Sequence, residues 1–158
     1  SDWTGAATKA LKQLTRQIDA KRVAGVAISN QRESFAQFDD KNRPLRPGTL
    51  WLDERARAEV TKISDEVGAE EIHRICGKPA DVTPCLYRCR WLSDHMPKLW
   101  SRTAKTAEVH GVLTHFLTGQ WATSTASADP MGLIDVRASD WSDTLLKSAR
   151  LTRAQLPT

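Results

Sequence analysis

Apolar residues recur along this chain in two rhythms. Ala7, Leu11, Leu14 and Ile18 are spaced 4, 3 and 4, which predicts an amphipathic helix with Asp2 or Thr4 as its cap and Lys21 and Arg22 closing it. Ala56, Val60, Ile63 and Val67 repeat that spacing and predict a second helix. A short helix over 69–76 stops at Gly77, with Pro79 beyond it. Pro84 suits the first turn of a helix running to about His95. Val109, Val112, Leu113, Phe116 and Leu117 mark another, ended by Gly119. Ser139 or Asp140 is placed to cap a last helix carrying Trp141, Leu145, Leu146 and Ala149.

Between the helices, continuous apolar runs replace the helical rhythm. The run 23–28 predicts a short buried strand, 33–39 a second, 49–52 a brief third and 132–136 another. Asp39, Asp40, Lys41 and Asn42 form a turn, and Pro44 and Pro47 keep the return irregular. The order helix, strands, several helices, strand, helix predicts an α/β or α+β domain with few strands for its helices.

Composition narrows the function without naming it. At 158 residues the chain suits one domain with a sizeable core. The net charge of +4 is spread rather than clustered, which argues against a nucleic-acid partner. No apolar run approaches the about 18–20 residues of a membrane helix, and the opening SDWTGAATKALKQ lacks the shape of a signal peptide. Three cysteines, Cys76, Cys85 and Cys89, make no disulfide framework and fit a reducing cytoplasm.

Several residues carry candidate chemistry, each with a plainer alternative. Arg32 offers a planar fork of donors and Glu33 two acceptor oxygens, a set that matches adjacent hydroxyls of a sugar or polyol. On residue chemistry alone, a solvated surface pair is the simpler reading. Trp51 offers an apolar wall for the C–H face of a sugar, against a packing role. Asp53 either caps the helix that follows or accepts from a ligand hydroxyl. His73, Cys76, Cys85, Cys89 and His95 invite a small zinc-binding interaction domain, but their spacing matches no standard site. Gly77-Lys78-Pro79 lacks the upstream glycine and following hydroxyl of a phosphate loop.

The ordered segments VAGVAISNQRESFAQFDDKNRPLRPGTLWLDERA, TPCLYRCRWLSDH and HGVLTHFLTGQWATSTASADPMGLIDVRASDWSDTLL resemble the N-terminal domain of the FGGY carbohydrate kinases, the group of glycerol kinase, xylulokinase, ribulokinase and gluconate kinase. The resemblance covers nearly the whole chain. It implies an actin-like, ribonuclease H-like α/β fold and transfer of the γ-phosphate of ATP, with Mg²⁺, to a hydroxyl of a small carbohydrate. It implies that Arg32 and Glu33 bind substrate hydroxyls and that Trp51 packs on the substrate. The position of the family's substrate-contacting aromatic falls on Thr83, and Arg88 stands where a Lys is usual. Xylulokinases usually carry a Met-His-Gly type segment where this chain has Arg32, Glu33 and Ser34, which points toward a glycerol-kinase-like or polyol-type pocket. Val109, His110 and Gly111 replace a Lys-Asp-Tyr type segment.

The resemblance further implies an incomplete domain. The family's opening phosphate-binding strand would precede Ser1, and its catalytic aspartate and second, C-terminal domain would follow Thr158. Residues 1–158 are then expected to be part of the first domain, inactive alone, of a cytoplasmic kinase for which a homodimer stays open. The rival from another class is a non-catalytic sugar-binding module.

Overall fold

The computed structural model describes residues 2–158. Helix α1 (Asp2–Leu14) leads by an irregular stretch to strand β1 (Phe35–Phe38). Helices α2 (Arg57–Val67), α3 (Ala69–Cys76), α4 (Cys85–His95) and α5 (Pro97–Trp100) follow. Strand β2 (Lys105–Glu108) runs directly into α6 (Val109–Thr118). The chain then forms α7 (Thr125–Ala128), the short strands β3 (Ile134–Asp135) and β4 (Asp140–Trp141), and α8 (Asp143–Ser148).

The 4-3-4 spacings act as expected where a packing surface meets them. α2 buries Ile63 against the core and packs on α3 and α4. α4 lies at the centre, buried on every side from Cys85 to Arg90, with α2, α5 and α8 packed around it. Each Leu or Ile fully buried in this seam contributes about 1.5–3 kcal/mol. α3 and α6 stop at Gly77 and Gly119. α1 ends at Leu14 rather than running through Ile18. Ile18 is exposed, so nothing rewards a further turn.

β1 pairs antiparallel with β2, matching Phe35 with Glu108, Ala36 with Ala107, Gln37 with Thr106 and Phe38 with Lys105. Successive side chains of β1 alternate between faces, and both faces are covered. Phe35 joins the main core with Ile72, Leu86, Met131 and Leu145. Ala36 and Phe38 join a second cluster with Ala107, Val112, Trp3 and Trp121.

Four strand or cap expectations are corrected. Residues 23–28 form no strand, and Val23 and Val26 stand exposed. The run contains Ala24, Gly25 and Ala27, which offer little area to bury, and it has no neighbouring strand among the described residues. Residues 49–52 reduce to a bridge in which the amides and carbonyls of Phe35 and Thr49 exchange hydrogen bonds of 3.0 and 2.8 Å. The strand expected over 132–136 shrinks to Ile134 and Asp135. Trp141 lies in β4, and Ser142, not Ser139 or Asp140, caps α8 by accepting from the Leu145 amide.

Candidate functional site

The SNQRES segment closes on itself just before β1. The Asn30 side chain donates to the Gln31 carbonyl at 2.8 Å, and the Gln31 side chain donates to Ser34 Oγ at 2.8 Å. Ser34 is fully buried, and its Oγ also accepts from the Trp51 amide at 3.1 Å. One hydroxyl thus links the Arg32–Glu33 segment to the Trp51 segment.

Glu33 takes a left-handed backbone with φ 56°. That conformation is uncommon for a residue with a Cβ and persists where its surroundings hold it. The Arg32 guanidinium lies 3.9 Å from the Glu33 carboxylate, with Arg32 well exposed and Glu33 mostly covered. At that distance the pair shares charge without a hydrogen bond between the two groups.

Trp51 is 49% exposed between Leu50 and Leu52, which are also exposed. An indole at a loop tip presents a broad apolar face to solvent, and ligand recognition uses such faces. Asp53 does not cap α2, whose N-cap is Ala56. Its carboxylate accepts from the Arg55 amide and from Arg55 Nε at 2.8 Å. Burial works against ionisation of Asp53, but the Arg55 hydrogen bonds and the charges of Arg55 and Arg88 outweigh it and hold the carboxyl below its ordinary value. Arg55 in turn lies 4.8 Å from the Trp91 ring centroid, and Trp91 stacks on His95. The Thr83 hydroxyl donates to Asp81 at 3.4 Å.

The residue that draws these segments together is Arg88 on α4, only 1% exposed. Its guanidinium donates to the backbone carbonyls of Glu33 (2.8 Å), Leu50 and Thr83. The backbones carrying Arg32–Glu33, Trp51–Asp53 and Thr83 therefore meet at one side chain. Sequence reasoning noted Arg88 only as a departure from a usual Lys. A signal was present, because Cys85, Arg88 and Leu92 share one helical face and a charge there lies in the core.

A second buried charge went unnoticed. Glu108, 1% exposed, caps α6 by accepting from the amides of His110 and Gly111 and from the Thr123 hydroxyl. Burial raises its pKa against those hydrogen bonds, which favour the charged form. Folding therefore favours the protonated acid. Its contribution to stability is present below the unfolded pKa and is lost as pH rises through the higher folded value. Comparison of wild type with Glu108→Gln by denaturant unfolding from about pH 4 to about pH 7 checks this. The stability advantage of wild type should shrink as pH rises. An advantage that grows would mean that the capping bonds outweigh burial.

The three cysteines are free and buried. Burial pushes the Cys85 thiol up to about 12 and raises Cys76 and Cys89 as well. Among the described residues no group of three or more His, Cys, Asp or Glu is arranged to hold a metal ion. No helix among them is long and apolar enough to cross a membrane.

The family model described as the FGGY family of carbohydrate kinases, N-terminal domain, matches residues 1–158. The chain is 29% identical over 157 residues to the xylulose kinase of Lactococcus lactis subsp. lactis, covering 98% of this chain and 31% of that protein. It is 27% identical over 145 residues to the glycerol kinase of Thermococcus gammatolerans, covering 89% of this chain and 29% of that protein. The crystal structure of ligand-bound xylulose kinase from Lactobacillus acidophilus superimposes with a TM-score of 0.85 at 25% identity, over 92% of this chain and 30% of that one. The chain thus spans about a third of the length of these relatives.

Proposed function

The chain belongs to the FGGY family of carbohydrate kinases, and from that membership we propose that its protein phosphorylates a hydroxyl of a small sugar or polyol. Residues 1–158 are, in this reading, part of the first of two domains, and the pocket they contribute grips the acceptor. The observation that carries the reading is the loose Arg32–Glu33 pair at 3.9 Å, next to the exposed indole of Trp51 through Ser34. A tight ion pair would spend its hydrogen-bonding capacity internally. A loose one leaves Arg32 donors and Glu33 acceptors for two neighbouring hydroxyls, each of which both donates and accepts.

Glu33 and Arg32 orient the polyol edge, and Trp51 packs on its C–H face. Asp53 is held ionised beside Arg55 and is available as a further acceptor, and Thr83 lines the rim. Holding the acceptor in one orientation supplies the positioning on which phosphoryl transfer depends. ATP with Mg²⁺ supplies the phosphoryl group when bound. The described residues present neither a glycine-rich phosphate cradle nor a cluster of carboxylates for a cation. The relatives named above differ in the sugar or polyol in their names, so the acceptor is proposed only as that class. Buried, unpaired cysteines support a cytoplasmic setting.

The test is ATP consumption by the intact protein across a panel of polyols and ketoses. Turnover should depend on one of them, and Arg32→Ala should raise its KM about 10–100-fold, the loss of one or two charge-assisted hydrogen bonds. If no hydroxyl compound stimulates ATP consumption, the reading fails.

A further inference from the structure

Arg88 is a costly way to fill space. Its guanidinium is buried, and among the described residues no carboxylate forms a salt bridge with it, although Asp53 lies close enough to feel its charge. Its neighbours are three backbone carbonyls, Cys85 Sγ at 3.8 Å and the Phe35 ring, whose centroid lies 5.6 Å away. Burying a charge without an opposite charge is unfavourable, and an apolar side chain of similar volume would occupy the same space more cheaply. What an apolar side chain cannot do is donate in one plane to three carbonyls at once. Those carbonyls belong to segments 55, 38 and 5 residues away in sequence. One of them is the carbonyl of Glu33, whose left-handed backbone needs a partner to hold it.

We propose that Arg88 is the positioning residue of the hydroxyl-binding pocket: its guanidinium locks the backbones of Glu33, Leu50 and Thr83 into one frame and so aims the Arg32–Glu33 pair and the Trp51 face at the same sugar or polyol. This role rests on the acceptor reading given above. Arg88 touches no substrate in it and acts through the three segments that do. Its fork sets how far apart the Glu33 carboxylate and the indole stand, and thereby which span of hydroxyls fits between them.

Arg88→Met and Arg88→Lys in the intact protein test this, Met keeping most of the volume and Lys keeping the charge with a single donor group. Two readouts are needed, backbone amide exchange and the KM values for the hydroxyl acceptor and for ATP. In Arg88→Met the amides of Phe35, Trp51 and Asp53 should exchange at least about tenfold faster while those of α8 stay as they were. Acceptor KM should rise about tenfold or more with ATP KM changed by less than about twofold, and Arg88→Lys should fall between. If Arg88→Met does not fold, the same split in Arg88→Lys decides. Acceptor and ATP KM rising together with faster exchange throughout would mean general loosening and would overturn the proposal, as would wild-type KM and exchange. If wild type turns over no hydroxyl compound, the acceptor reading fails by itself. Exchange then decides the frame, supported by acceleration confined to the three segments and overturned by its absence.

Discussion

Arg90→Met is expected to lower the unfolding free energy by about 2–4 kcal/mol. Arg90 is 4% exposed and joins three helices. It donates to both carboxylate oxygens of Glu66 on α2, at 2.8 and 2.9 Å, to Asp94 on its own helix at 3.0 Å, and to the Ser148 carbonyl at the end of α8 at 3.0 Å. Removing it leaves the Ser148 carbonyl without that donor and Glu66 without its main cation, while Asp94 keeps Lys62 at 2.8 Å. Glu66 and Asp94 are partly exposed and regain water, so the loss stays below that of a fully buried pair. For a chain of 158 residues this is a fall in Tm of roughly 5–15 °C. The pH dependence has a definite sign. The Arg90 hydrogen bonds hold Glu66 below its ordinary carboxylate value, and those of Lys62 and Arg90 outweigh burial to do the same for Asp94. Their contribution is present above the unfolded pKa and lost as pH falls through the folded one. Wild type should therefore lose stability in acid more steeply than Arg90→Met. A change within about 0.5 kcal/mol at neutral pH would show that solvent already screens the cluster.

Gly132→Ala should cost a similar amount, roughly 2–5 kcal/mol, for two additive reasons. Gly132 has φ 69°, and a Cβ placed there would lie 2.7 Å from Pro84 Cβ, a rigid ring atom. Pro84 precedes α4 and follows Thr83, so relief of the clash moves the start of the central helix and a carbonyl bound by Arg88. Gly119→Ala is the control, with φ 76° but open space around the added methyl. It should cost only the conformational part, about 1–2 kcal/mol. Equal losses in the two variants, measured by denaturant unfolding, would remove the clash from the explanation.

The candidate site was legible to different degrees. Arg32, Glu33 and Trp51 could be named because a donor–acceptor pair and an indole lie in a segment with a family pattern. Of the two roles open to Asp53, capping α2 is the one that fails, since its carboxylate closes onto Arg55 and the N-cap is Ala56. Arg88 and Glu108 were passed over because each looks like an ordinary surface charge until its surroundings are known. Their burial, at 1% exposure each, follows from elements packed around them that neither contacts in sequence.

The same division runs through the fold. The sequence by itself determined α2, α3, α6, the turn after β1 and the family, because helix rhythm, stop residues and ordered motifs act within a few residues of one another. Only the tertiary structure decided that Lys105–Glu108 is a strand, since KTAE has no strand rhythm and becomes one by pairing with β1. It also left residues 23–28 unpaired and carried Trp141 from a helix into β4. The meeting of Glu33, Leu50 and Thr83 at Arg88 is of this second kind. Strand pairing and buried hydrogen bonds join residues far apart in the chain, and their free energy exists only once packing has excluded water from between them.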